Sequence, residues 1–164
     1  MQKEFSYKDD RQKICFVHPD KANLDEWLKM RCMLWNYHIK FTLRTEMKDI
    51  YKRFQKGERM VYLARLNEIY AGFIELSLRE SAPGCTTSPV GFIEGWFVKE
   101  EYRGNGIGRC LTEQGELWAK SKGCTEMASD TRSSFFPLSP AAHNTIGYNT
   151  TLLENDHFYF IKKL

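Results

Sequence analysis

Between Gly91 and Lys122 the chain changes character twice over one short stretch, and no other feature limits its possible folds as much. GFIEGWFV, from Gly91 to Val98, is rich in Phe, Ile, Trp and Val, the composition of a largely buried strand. From Ile107 the apolar positions recur at Cys110, Leu111 and Trp118, with Gln114 on the same stripe, which is the spacing of one helix face. Between the two lies Arg103-Gly104-Asn105-Gly106-Ile107-Gly108. A strand, a glycine-rich turn and a helix N-terminus together make an anion site. Glycine N–H groups approach a phosphate closely, and the helix dipole favours negative charge there. Taken alone, the same hexapeptide is equally a tight strand-to-helix turn with no ligand. A dinucleotide fingerprint requires G-x-G-x-x-G at the first strand of a repeated βαβ array. Here the turn falls late, after hairpin strands, and no second βαβ unit follows. A phosphate-binding P-loop requires Lys-Ser or Lys-Thr after its last glycine, whereas Gly108 is followed by Arg109-Cys110.

The rest of the chain bounds the setting. With 164 residues, 42% hydrophobic and 14% aromatic, a single domain over residues 1–164 with one core is expected. No apolar run approaches the length of a membrane span, and the polar start MQKEFSYKDDRQK does not read as a signal peptide. The five cysteines are scattered, odd in number and without a C-x-x-C pair. Free thiols in a reducing cytoplasm, with no zinc or other metal site, are therefore expected. A net charge of +3 is too mild to argue for nucleic acid.

In order, residues 1–13 form a polar lead-in, and Ile14 to Val17 is a short strand ended by Pro19. Asn23 and Glu26 have capping-box spacing at the start of a helix whose stripe is Leu24, Trp27, Leu28, Arg31, Leu34 and Trp35, reaching about Tyr37. Thr45 is expected to cap a second helix, Glu46 to Lys56, closed by Gly57. Met60 to Leu66 and Ile69 to Leu78 form a hairpin around Asn67-Glu68, with Glu75 on a solvated face. Residues 79–90 are loop. After the central helix, Gly123 is a stop and Thr125 to Ser129 a strand, parallel to Gly91–Val98 through a right-handed crossover. Asp130 then lies just past that strand's carboxyl end. Residues 131–138 are loop, Ser139-Pro140 opens a short helix to Ile146, and Gly147 stops it. Tyr148 to Leu153 and His157 to Lys163 close the chain as a hairpin. The fold class is α/β (α+β): a mixed, mostly antiparallel sheet with a central parallel strand pair, flanked by helices.

This element order, with Arg103, Gly106 and Gly108 in the spacing R-x-x-G-x-G after the fourth strand, resembles the GCN5-related N-acetyltransferase (GNAT) superfamily. The likeness covers roughly residues 14–163. Within the superfamily, FIEGWFV, EYRGNGIG, GCTEMASDT, SPAAHNTIGY and Leu34-Trp35 look like the aminoglycoside 6′-N-acetyltransferases. The resemblance implies acetyl-CoA as acetyl donor, with its pyrophosphate on the glycine turn. It places Phe97, Val98, Arg103, Gly104, Gly106, Ile107, Gly108, Arg109 and His143 at the cofactor. It implies an aminoglycoside substrate held by Trp35, Glu75, Glu94, Asp130 and Glu154, with Asp156 a further acidic candidate. It also implies a cytoplasmic resistance enzyme, and a homodimer formed through the C-terminal strands, for which HFYFI would serve.

Acetyl transfer to an amine requires a neutral amine and a polarised thioester carbonyl, and a thiol with a pKa of about 8.5 leaves readily. By the resemblance, Asp130 is the base, Glu94 the ammonium ligand or co-base, and the backbone N–H near Trp96 the polariser. His143 stands where many members carry a Tyr acid, and Phe136 where many carry an Asn. Two other readings remain: acetyl transfer to another amine, such as a polyamine or a protein N-terminus, and a non-catalytic acetyl-CoA sensor.

Overall fold

The computed structural model describes residues 5–7, 14–36 and 38–164, with side chains for all of these except 5–7 and 152–154. Tyr37, the expected end of the first helix, lies outside the described residues. The chain divides into two units, Met1–Glu75 with Gly95–Leu111, and Leu76–Glu94 with Thr112–Leu164. In the first unit the strands are β1 (Phe5–Tyr7), β2 (Ile14–Val17), β3 (Arg59–Leu66), the beginning of β4 (Ile69–Arg79) and the end of β5 (Val90–Val98), in that order. β2 runs antiparallel to β3, with Ile14 opposite Leu66 and Val17 opposite Leu63. Helices α1 (Leu24–Leu34) and α2 (Lys40–Gln55) belong to this unit. Trp27, Leu28 and Met30 of α1 join Leu43 and Met47 of α2 in one core with Val61, Leu63 and Phe73 of the strands.

Three local expectations change. β1 forms within the lead-in expected to be irregular. α2 starts at Lys40, so Thr45 lies inside it, and the Thr45 hydroxyl donates to the Phe41 carbonyl one turn back. Asn23 makes no capping hydrogen bond to α1. Its side chain instead accepts from the Asp20 N–H at 2.9 Å and donates to the His18 carbonyl at 3.1 Å, bracing the approach to the helix.

Glu75 is the main departure. Ala71 to Ser77 are buried without alternation, so β4 has no solvated face there and Glu75 is only 1% exposed. Its carboxylate accepts from Arg31 Nη1 at 2.5 Å and from Trp27 Nε1 at 2.9 Å. Arg31, also buried, reaches Glu46 of α2 through Nη2 at 2.9 Å. Burial pushes the Glu75 carboxyl above its ordinary range, and the Arg31 charge opposes that shift.

The second unit holds the end of β4 and the start of β5, followed by β6 (Glu126–Arg132), β8 (His157–Lys163) and β7 (Asn149–Glu154) in that spatial order. β5 and β6 are the expected parallel pair, with Gly91 beside Met127 and Ile93 beside Ser129. Helix α3 (Ile107–Ser121) connects them. A side chain at Gly91 would stand 2.7 Å from the Ala119 Cβ, so glycine lets helix and strand approach. β6 continues past Ser129 because it pairs antiparallel with β8 as far as Arg132 and His157. Asp130 is therefore inside the strand, not beyond its end. β8 is paired on both sides, so the outer edge is β7, and Phe160 of HFYFI is fully buried. Helix α4 (Ser139–Thr145) completes this unit. Among the described residues no helix is long and apolar enough to cross a membrane.

Removing one partner of a buried ion pair leaves an uncompensated charge, at a cost of about 3–5 kcal/mol. Glu75→Ala is expected to lower unfolding free energy by that amount in urea titrations. Arg31→Met combined with Glu75→Leu is expected to recover most of the loss.

Candidate active site

In the first unit β5 ends at Val98, a single turn of 3₁₀-helix covers Glu100–Tyr102, and the glycine turn follows. Gly104 and Gly106 have φ of +80° and +77°. A residue with a Cβ pays roughly 1–2 kcal/mol in that region. A Cβ at either position would meet nothing within 4 Å, so glycine is required by the backbone and the space beside the turn is open. The turn is preformed. Arg103 Nε donates to the Val98 carbonyl at 3.0 Å, and Asn105 Nδ2 to the Tyr102 carbonyl at 3.3 Å. Ile107, 1% exposed, anchors the start of α3. Trp96 Nε1 donates to the Gly108 carbonyl at 3.2 Å, so the indole braces the first turn of the helix. A Cβ at Gly108 would stand 3.0 Å from that ring. Arg103 and Arg109 are exposed on either side of the glycines. This is an open concavity of backbone amides at the N-terminus of a long helix, flanked by two cations, and it fits a pyrophosphate.

Two more expected residues lie in the same unit. Phe97 packs on Phe73, with ring centroids 6.0 Å apart. Trp35, half-buried at the end of α1, lies under the Arg31 guanidinium at 4.6 Å and against β5. A Cβ at Gly95 would come within 2.6 Å of its ring.

The second unit carries Glu94 and Asp130 on adjacent strands. They directly follow the last parallel register pair, Ile93 and Ser129, so they occupy matching positions and the same face of adjacent strands. Glu94 accepts from the Ser77 hydroxyl at 2.5 Å and from Arg79 at 2.9 Å, and Arg79 lies over the Phe92 ring. Asp130 Oδ2 is 3.1 Å from His157 Nδ1. The sequence reading missed Ser77, Arg79 and His157, because each reaches its carboxylate across the sheet from a distant part of the chain.

Two expected residues are committed elsewhere. The Glu75 carboxylate is enclosed by Arg31 and Trp27, which leaves it no surface for a substrate. His143 is 5% exposed and stacks on Phe160 with centroids 3.8 Å apart. Its Nδ1 is 2.9 Å from the Ser139 carbonyl and its Nε2 3.3 Å from Ser129 Oγ. Burial holds its pKa down to about 4, so the ring is neutral at pH 7. Nδ1–H then donates to the carbonyl and Nε2 accepts from the serine. The cofactor contact expected of His143 gives way to packing. The Glu154 side chain lies outside the described residues. Asp156 is held by Ser133 and by Ser134, whose hydroxyl and N–H donate at 2.5 and 3.1 Å. Among the described residues no group of three or more His, Cys, Asp or Glu could hold a metal ion.

A parallel pair following a hairpin, with a glycine turn feeding the crossover helix, is the arrangement of an acetyltransferase. The chain belongs to the acetyltransferase (GNAT) family, whose profile matches residues 27–145. Among its relatives, an aminoglycoside N(6′)-acetyltransferase type 1 of Acinetobacter baumannii is 37% identical over 132 residues, covering 80% of this chain and 88% of the relative. A crystal structure of an aminoglycoside 6′-N-acetyltransferase from Acinetobacter baumannii superposes with a TM-score of 0.75 at 33% identity, covering 85% of this chain and 92% of that one. The enzyme AAC(6′)-Iy, in complex with the bisubstrate analogue CoA-S-monomethyl-acetylneamine, also gives 0.75, at 29% identity and with the same coverage.

The His143 imidazole links folding to pH. In the unfolded chain it takes up a proton near its ordinary value of about 6.5, whereas in the native protein it does so only near 4. Its contribution is complete above pH 6.5 and is lost as pH falls through that window, to a total of about 3 kcal/mol. Urea unfolding at pH 7.0 and 4.5 is expected to show this loss, and His143→Phe to flatten it.

Proposed function

We propose that this protein transfers acetyl from acetyl-CoA to the 6′-amine of aminoglycosides and thereby confers resistance to them. The observation that carries this reading is the placement of Glu94 and Asp130 on adjacent strands, each just past the last parallel register pair, in a chain whose relatives bear that activity. A polycationic substrate calls for such carboxylates, and a local acidic pair supplies them on a chain of net charge +3.

Acetyl-CoA supplies a thioester acetyl group. Backbone amides around Gly104, Gly106 and Gly108 hold its pyrophosphate, with Arg103 and Arg109 adding charge, and the Val98 and Phe97 segment lies along it. Asp130 removes a proton from the substrate ammonium. The freed nitrogen attacks the carbonyl carbon, the C–N bond forms, and the backbone N–H near Trp96 stabilises the charge on oxygen. The C–S bond breaks, the nitrogen sheds its second proton to solvent to leave the neutral amide, and the thiolate takes a proton from solvent, because the one N–H of neutral, buried His143 is held by the Ser139 carbonyl. Glu94, fixed between Ser77 and Arg79, acts as an ammonium ligand. Both of its oxygens already accept hydrogen bonds, from Ser77 and from Arg79, and we assign proton removal to Asp130. Trp35 offers an aromatic face to the substrate.

We also place the enzyme in the cytoplasm, a reading supported by five free cysteines. A homodimer through the exposed edge of β7 is the assembly we favour, and light scattering of the purified protein tests it.

Thiol release from acetyl-CoA is expected with kanamycin or tobramycin and not with an aminoglycoside that has a hydroxyl at 6′. Release with neither, in protein that binds acetyl-CoA by calorimetry, would establish a sensor instead. Asp130→Asn is expected to lower kcat by about 10²–10⁴-fold, the usual worth of a positioned base, with acetyl-CoA affinity unchanged.

A further inference from the structure

We infer that His157 is the positioning residue for Asp130. It holds one carboxylate oxygen so that the other faces the substrate amine. This rests on the reading of Asp130 as proton acceptor and adds a residue 27 positions further along the chain.

The juxtaposition follows from strand register. Asp130 on β6 lies opposite Tyr159 on β8, and Arg132 lies opposite His157. Asp130 and His157 are therefore diagonal neighbours on one face of an antiparallel pair, within reach of each other's side chains. His157 Nδ1 stands 3.1 Å from Asp130 Oδ2, with His157 27% and Asp130 33% exposed. An ionised carboxylate can only accept, so Nδ1 carries the proton and donates it. Among the described residues no other group hydrogen-bonds Asp130, so Oδ1 is available to an incoming ammonium.

The imidazole is itself held in place. It stacks on Tyr159, with centroids 6.1 Å apart and planes 27° from parallel. It follows directly on Asn155-Asp156, a two-residue turn with both residues at positive φ. That turn is tied down, since the Asp156 carboxylate accepts from Ser133 and Ser134 and its carbonyl accepts from the Ser133 N–H at 2.9 Å. The Ser133 hydroxyl, and then that of Ser134, lower the Asp156 pKa, which keeps the tie anionic near neutrality. A carboxylate flanked by a fixed donor keeps one orientation, whereas an isolated surface carboxylate rotates. Among the described side chains, the titratable or charged groups beside His157 are, besides Asp130, Arg132 on β6, Tyr159 on β8 and Asp156 in the turn.

The test compares His157→Ala with His157→Asn, using acetyl-CoA and tobramycin. The Asn amide can donate from nearly the position of Nδ1 but has no basic nitrogen. His157→Ala is expected to lower kcat about tenfold to a hundredfold, the worth of a hydrogen bond to a charged group. KM for acetyl-CoA should stay constant. His157→Asn is expected to restore kcat to within a few-fold of the wild type. Wild-type kcat in His157→Ala would overturn the inference. So would His157→Asn being as slow as His157→Ala, in folded protein of unchanged thermal midpoint, since the imidazole would then be the proton acceptor. Wild-type kcat in Asp130→Asn would overturn the reading of Asp130 as base, whatever the His157 variants do.

Discussion

A carboxylate enclosed by apolar groups is tolerable only if a cation and hydrogen-bond donors reach it, and the first unit is arranged around meeting that demand at Glu75. Its partner Arg31 comes from α1, the indole N–H comes from Trp27 one turn earlier, and the second nitrogen of Arg31 extends to Glu46 on α2. One buried residue thus fixes the rotation of α1, its distance from β4 and its angle to α2. The same guanidinium lies over one face of Trp35, so the ring proposed for the substrate is seated by the ion pair packed against it. Replacing a buried pair with apolar residues is often tolerated thermodynamically. What such a replacement would forfeit here is the platform at the end of α1.

The second unit solves a different problem, which is how to give two carboxylates on adjacent strands a fixed setting each. Each has its own partner from a neighbouring strand, Arg79 for Glu94 and His157 for Asp130. The partners differ in kind. A guanidinium is a permanent, forked cation, whereas an imidazole offers a single N–H from its ring edge. The two acids thereby sit in different settings, in keeping with the different roles proposed for them. His143, the remaining titratable group nearby, is kept neutral by burial and serves as a flat packing surface against Phe160.

Local pattern carried much of this. The glycine turn, the β3–β4 and β7–β8 hairpins and the parallel β5–β6 pair are all visible in residue spacing, because turn chemistry and apolar period are local properties. The start of α2 was misplaced because Thr45 reads equally as a cap and as an interior residue bonded one turn back. Glu75 was misplaced because alternation predicts a solvated face only where a sheet is covered on one side, and β4 is covered on both. Asp130 was put beyond its strand because the pairing that extends β6 comes from β8, nearly thirty residues later. The partners of both candidate carboxylates were hidden for the same reason: register across a sheet decides them, and no nearby residue announces it.

The seat of Trp35 has a consequence for how such an enzyme can change over generations. A Cβ at Gly95 would lie 2.6 Å from the ring edge and 3.4 Å from Phe73, so there is no gradual route from glycine to a larger residue at that place. Even alanine would have to displace the ring. A larger side chain at residue 95 therefore needs a compensating move of Trp35, so two changes must arrive together where one would otherwise do.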